Sequence, residues 1–146
     1  MKKKIIIYSS ILFIIDLISK LLIDNLLSFG ENIYIIKNFL VIKKVYNTGA
    51  SFSILLGKSY LFIICGIICI YYLYKSLNSI NNNKLIIISY SLLFSGIIGN
   101  MVDRILYKHV IDFISILSFP IFNIADIFIC SGSILLLIYY MKEGNV

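Results

Sequence analysis

Four runs of this 146-residue chain, at about 5–23, 60–77, 85–102 and 121–140, are apolar enough to cross a bilayer and close to the ~20 helical residues that a crossing takes. Within hydrocarbon a segment has to satisfy its own backbone N–H and C=O groups, so each run is expected to be a helix. The chain is 60% hydrophobic and 14% charged, a balance that points away from a soluble domain. The expected fold is therefore all-α: one integral membrane domain over 1–146, a bundle of four transmembrane helices. The segment 24–58 falls outside the runs. Tyr34 to Tyr46 alternates only loosely and is rich in β-branched and aromatic residues, which predicts a small extracytoplasmic flap containing short strands.

The formal net charge is +6. The basic residues are scattered, and no basic stripe with interleaved aromatics runs along one face, so the charge speaks for membrane topology and anionic lipid rather than nucleic acid. Lys2, Lys3 and Lys4 precede the first run, Lys75 and Lys84 flank the link between the second and third, and Lys142 follows the fourth. This pattern places both termini in the cytoplasm, although Lys37, Lys43, Lys44 and Lys58 then fall outside. The first run is expected to be retained: no alanine occurs before Ala50 to make a small-residue cleavage site, and Asp16 and Lys20 interrupt the run. Cys65, Cys69 and Cys130 lie within the runs with no ligand-like spacing, and are read as small buried hydrophobes.

Charged and amide side chains inside such runs are expensive and ask for a reason. Asp16, Ser19 and Lys20 share one face of the first run at i, i+3 and i+4, with the acid one turn ahead of the base. Asn47 and Gly49 stand just before the second run. Gly96, Asn100 and Asp103 form one stripe on the third, with Gly99 beside them; small residues there permit close helix packing. Arg104 is the only arginine in a chain that otherwise uses lysine, so a planar, bidentate cation matters at that position. Asp103 and Arg104 are expected to form an ionised brace at the outer end of the bundle. Asp112 lies between the third and fourth runs, with His109 as an exposed loop neighbour. Asn123, Asp126, Cys130 and Ser133 are expected to make a polar stripe facing the bundle, and a helix starting near Pro120 would hold Asp126 ~9 Å inside it.

Two neighbouring carboxyl groups cannot both ionise cheaply, so they share a proton. The ionised one can draw a proton from a water that attacks an amide carbonyl; the protonated one can polarise that carbonyl and then protonate the leaving amine. Spacing alone does not select such a pair from five aspartates and two glutamates. A small proton-coupled membrane transporter also accounts for intramembrane acids, but predicts acids spread through the depth and usually an internal repeat, and none is visible. A structural membrane subunit would need no acid pair.

Taken together, the clusters resemble the lipoprotein signal peptidases, or signal peptidase II. The matching pieces are Asp16-x-x-Ser-Lys20, Asn47-x-Gly-Ala-x-Phe52, Gly96-x-x-Gly-Asn-x-x-Asp-Arg104, Val110-x-Asp-Phe113 and Phe122-Asn-x-Ala-Asp126. The resemblance implies an aspartic endopeptidase of the bacterial cytoplasmic membrane that cleaves a prolipoprotein just before its diacylglyceryl-bearing cysteine. It implies Asp112 and Asp126 as the catalytic acids. It also implies Asp16, Asn47, Asn100, Arg104 and Asn123 as residues that line or brace the site; Lys20, Gly49, Gly96 and Asp103, from the same clusters, are expected to support it. Membrane lipid and a globomycin-type inhibitor are the further implied partners; no metal or cofactor is implied. Ser95 and Phe119 depart from the family's common glycine and tryptophan.

Overall fold

A computed structural model describes residues 1–49, 57–78 and 83–143 of the chain. Four helices dominate: α1 (Lys2–Leu26), α2 (Ser59–Ser76), α3 (Lys84–Tyr107) and α4 (Ile124–Glu143). All four are long and apolar enough to cross a membrane. Between them lie β1 (Asn32–Ile36), β2 (Leu40–Asn47) and β3 (Val110–Ile116), which form one antiparallel sheet in the order β1-β2-β3.

Helix α3 is the hub. It packs against α1, α2 and α4, and more than half of its apolar window is buried, whereas the other three helices bury less than a fifth of theirs. The remaining faces carry exposed isoleucine, leucine and tyrosine, such as Ile7, Ile14, Ile18, Ile64, Tyr71 and Leu137. Such faces suit lipid, where the surrounding solvent is as apolar as the side chains. Helix α4 turns Ala125, Gly132 and Tyr139, spaced by seven, toward the bundle. Cys130 and Ser133 are exposed, so the polar stripe expected along this helix ends at Asp126. The three cysteines are likewise exposed, on outer faces rather than buried among neighbours.

The bundle is graded from end to end. Where the termini meet, Ile5, Leu77, Ile86, Ile87, Tyr90 and Tyr139 make an apolar core, and Lys2 Nζ donates to Asn78 Oδ1 at 2.6 Å. At the opposite end Asp16, Lys20, Asn100, Asp103, Arg104, Asp112 and Asn123 are buried alongside Val110, Ile111, Phe113 and Ala125. The sheet covers that end.

Two expectations need correction. The stretch 110–116, read as a plain connection, is β3, a largely buried edge strand of the sheet; Val45 pairs with Asp112 and Tyr46 with Ile111. Lys108 makes this possible by taking a left-handed conformation (φ 65°), which stops α3 and turns the chain back. The fourth helix begins at Ile124 rather than near Pro120. Residues before it stay extended because Phe122 exchanges backbone hydrogen bonds with Ile114 on β3. Asp126 accordingly lies in the first helical turn, about 3 Å along the axis, not deep in the helix.

Candidate active site

At the start of α4, Asn123 Oδ1 accepts from the Asp126 N–H at 3.0 Å and Asp126 Oδ2 accepts from the Asn123 N–H at 3.1 Å. This reciprocal pair is a capping box, and it satisfies two groups that a helix end leaves orphaned. It also holds Asp126 with the positive end of the helix directed at its carboxylate. Its other oxygen, Oδ1, accepts from Asn100 Nδ2 of α3 at 2.8 Å.

Asp112 reaches the same place from the sheet. It is 3% exposed. Oδ1 accepts from Asn123 Nδ2 at 2.6 Å, and Oδ2 from Asn47 Nδ2, at the end of β2, at 2.8 Å. Burial pushes the Asp112 carboxyl up to about 6, with the charge of Asp126 adding to the shift. Asp112 and Asp126 line a single cavity of about 170 Å³ together with Asn47, Asn100, Arg104, Val110 and Phe62. The site thus draws on β2, α2, α3, β3 and α4. It brings together two acids, three amides and one guanidinium.

Around this cavity stands a buried ionic group. Lys20 Nζ meets Asp16 Oδ2 at 2.8 Å and Asp103 Oδ2 at 2.9 Å, and donates to Asn100 Oδ1 at 3.1 Å. Asp16 Oδ1 accepts from the Ala125 N–H at 2.9 Å, which ties α1 to the start of α4. Two glycines allow this closeness. A Cβ on Gly99 would come within 2.5 Å of Asp16 Oδ2, and one on Gly96 within 2.5 Å of the Ala125 carbonyl.

Asp103 and Arg104, expected in an ionised brace at the outer end, take different partners there. Asp103 pairs with Lys20, while Arg104 donates from Nη1 to the Asn100 carbonyl and from Nη2 to the Gly49 carbonyl, both at 3.1 Å. Consecutive helical residues diverge around the axis and do not face one another. The Arg104 guanidinium also lies 4.9 Å from the centre of the Phe62 ring, within cation–π range. Phe62 is a cavity residue that the sequence reading did not single out. It sits in a uniformly apolar helix, and nothing local distinguishes it from its neighbours. Gly49 is buried, and its N–H donates to Asn47 Oδ1 at 2.9 Å. Ala50 and Phe52 of the same motif lie outside the described residues. His109 is half-buried, stacked 4.2 Å from the ring of Tyr46, rather than an exposed loop residue.

The chain is similar to known proteins in sequence and in fold. The model of the family described as "Signal peptidase (SPase) II" matches residues 8–142. A lipoprotein signal peptidase of Clostridium tetani is 40% identical over 90% of this chain and 88% of its own length. One of Staphylococcus aureus is 39% identical over 99% of this chain and 95% of its own. Two solved structures, each described as a bacterial membrane enzyme, are 35% identical. One superposes with a TM-score of 0.88 over 96% of this chain and 88% of that one, the other with 0.83 over 94% and 92%. Fold and similarity together define a polytopic membrane peptidase. The chain belongs to the signal peptidase II family.

Proposed function

We propose that this chain removes the signal peptide from diacylglyceryl-modified prolipoproteins, cutting before the lipid-bearing cysteine, with Asp112 and Asp126 as the reacting acids. The observation that carries the proposal is the convergence of these two carboxyl groups, from different elements, on one small cavity rimmed by amide donors. Asp112 is cast as the proton donor of the pair, in keeping with its carboxyl being raised to about 6 by burial and by the neighbouring acid, and Asp126 as the proton acceptor. Asp126 takes a proton from the attacking water. Asp112 hydrogen-bonds the scissile carbonyl as it gains negative charge, and the proton held by the pair then passes to the leaving amine. Arg104, fixed by two backbone carbonyls, supplies a positive field beside both acids.

The membrane placement belongs to the same proposal. The end that gathers Lys2, Lys75, Lys84 and Lys142 faces the bacterial cytoplasm, and the sheet and the acids face outward. The lipid-modified substrate then meets the site from within the bilayer, at the depth where its apolar segment ends. The test uses full-length protein in lipid nanodiscs with a diacylglyceryl-modified prolipoprotein. Asp112→Asn and Asp126→Asn are each expected to lower the cleavage rate on the order of 10²–10⁴-fold, with helix content and unfolding behaviour retained. Full cleavage by either folded variant would refute the acid pair.

A further inference from the structure

An amide side chain has two ends of nearly the same shape but opposite hydrogen-bonding character. Each asparagine at this site could face its acid with NH2, which supports a carboxylate, or with C=O, which repels one. In all three cases the carbonyl end is held by a group that can only donate. Asn47 Oδ1 is held by the Gly49 N–H, and Asn123 Oδ1 by the Asp126 N–H. Asn100 Oδ1 is held by the Lys20 ammonium at 3.1 Å, with Asn123 Nδ2 at 3.2 Å on the same oxygen. Two of these clamps are backbone groups, present whatever the side chains. The third is a side chain, 2% exposed, that does not line the acid cavity.

We propose that Lys20 is a positioning residue for the acid pair: its ammonium fixes the polarity of the Asn100 amide, so that Asn100 can only donate to Asp126. An ammonium carries three donors and no acceptor. If the amide turned over, its NH2 would face the NH2 of Asn123 and the ammonium, and its carbonyl would face a carboxylate. The role rests on the reading of Asp112 and Asp126 as the reacting acids, but it is distinct from that reading, because Lys20 acts through Asn100. The charged groups around the pair are Arg104 from α3, and Lys20 from α1 at longer range; those facing Lys20 are Asp16 on its own helix and Asp103 on α3.

Lys20→Met alone would leave two buried carboxylates on one side of the ledger, so the informative variant is Lys20→Met combined with Asp103→Asn, which removes one charge of each sign. The readout is infrared titration of the protonated-carboxyl band of the acid pair, isolated by subtraction of Asp126→Asn, on full-length protein in nanodiscs. Without the ammonium the Asn100 carbonyl is held by Asn123 Nδ2 alone, the amide donates to Asp126 less firmly, and the pair takes up its second proton at a pH higher by up to about one unit, a part of one charge-assisted hydrogen bond. In an Asn100→Leu background the same double substitution is expected to move the titration no further, and Lys20→Arg, which keeps only donors, to leave it where the wild type has it. In the cleavage assay the double variant is expected to lose kcat with KM retained. A titration identical to wild type, or a shift undiminished by Asn100→Leu, overturns the proposal, the second because it would mean that charge acts through space.

If the double variant does not fold, the wild type alone carries the test. The side-chain NH2 resonance of Asn100 should follow the titration of the pair, and a resonance insensitive to pH across that titration overturns the proposal. Neither spectroscopic readout depends on cleavage. Wild-type protein that titrates as expected yet cuts no prolipoprotein refutes the proposed function and leaves the role of Lys20 in orienting Asn100 standing.

Discussion

Gly99→Ala tests how tightly the buried ionic group is built. The added Cβ would lie 2.5 Å from Asp16 Oδ2, where ordinary contact begins near 3.4 Å, so something has to move by about 0.9 Å. The carboxylate has little freedom to yield. Its Oδ2 is paired with Lys20 at 2.8 Å and its Oδ1 is held by the Ala125 N–H at 2.9 Å. Overpacking of this kind costs ~1–3 kcal/mol, and a buried ion pair that loses one partner ~3–5 kcal/mol; a clash that strains the pair without abolishing it is expected to cost ~3 kcal/mol. The assay is reversible unfolding in mixed micelles, arranged as a double-mutant cycle with Asp16→Ala. The next atom that the Cβ would meet beyond Asp16 is the Ala125 Cβ at 3.6 Å, an ordinary contact. Gly99→Ala should therefore be close to neutral once Asp16 is alanine, with a coupling energy near the full ~3 kcal/mol. An equal loss in both backgrounds would refute the reasoning, since the penalty would then arise from the helix backbone or from α4.

Asp112, raised from an ordinary 3.8 to about 6, favours the fold in its protonated form, so its contribution is fully present below pH ~4 and is lost as pH rises to ~6, a change of ~3 kcal/mol; unfolding free energy measured from pH 4 to 8 should show that slope in wild type and lose it in Asp112→Asn. Asn123→Ala removes a helix cap worth ~1 kcal/mol and a donor to Asp112, which calls for a loss of ~2–4 kcal/mol in the same unfolding assay together with reduced kcat. Lys44→Ala breaks a pair with Asp24 at 3.4 Å whose acid is more than a third exposed, so its cost should stay below ~1 kcal/mol and shrink further in high salt.

The helices were legible because apolar length is a local property, and the Asp16–Lys20 pair because i, i+4 spacing is enough to place it. The strand carrying Asp112 was not. Val110–Ile116 is short, an aspartate interrupts its apolar run, and its partner β2 lies some 65 residues earlier in the chain, as the contact between Asn47 and Asp112 shows. The start of α4 was misplaced because Pro120 suits a first helical turn equally well; what delays the helix is the pairing of Phe122 with Ile114, a tertiary contact. Most residues of the candidate site could be named from the resemblance of their motifs to a known family, but not the direction in which each amide points. That direction depends on which donor holds the carbonyl end, and only folding brings the donor there.

The hub arrangement of the helices has a consequence for how this molecule tolerates change. Among the described residues α2 packs chiefly on α3, and α1 and α4 lean mainly on α3 rather than on each other. A substitution on the inward side of α3 is thus transmitted to three neighbours together, while most of α2 answers to one partner and the surrounding lipid. Sequence drift should accumulate on the spokes and be resisted at the axle, and a library of random variants scored for folding would display that asymmetry directly.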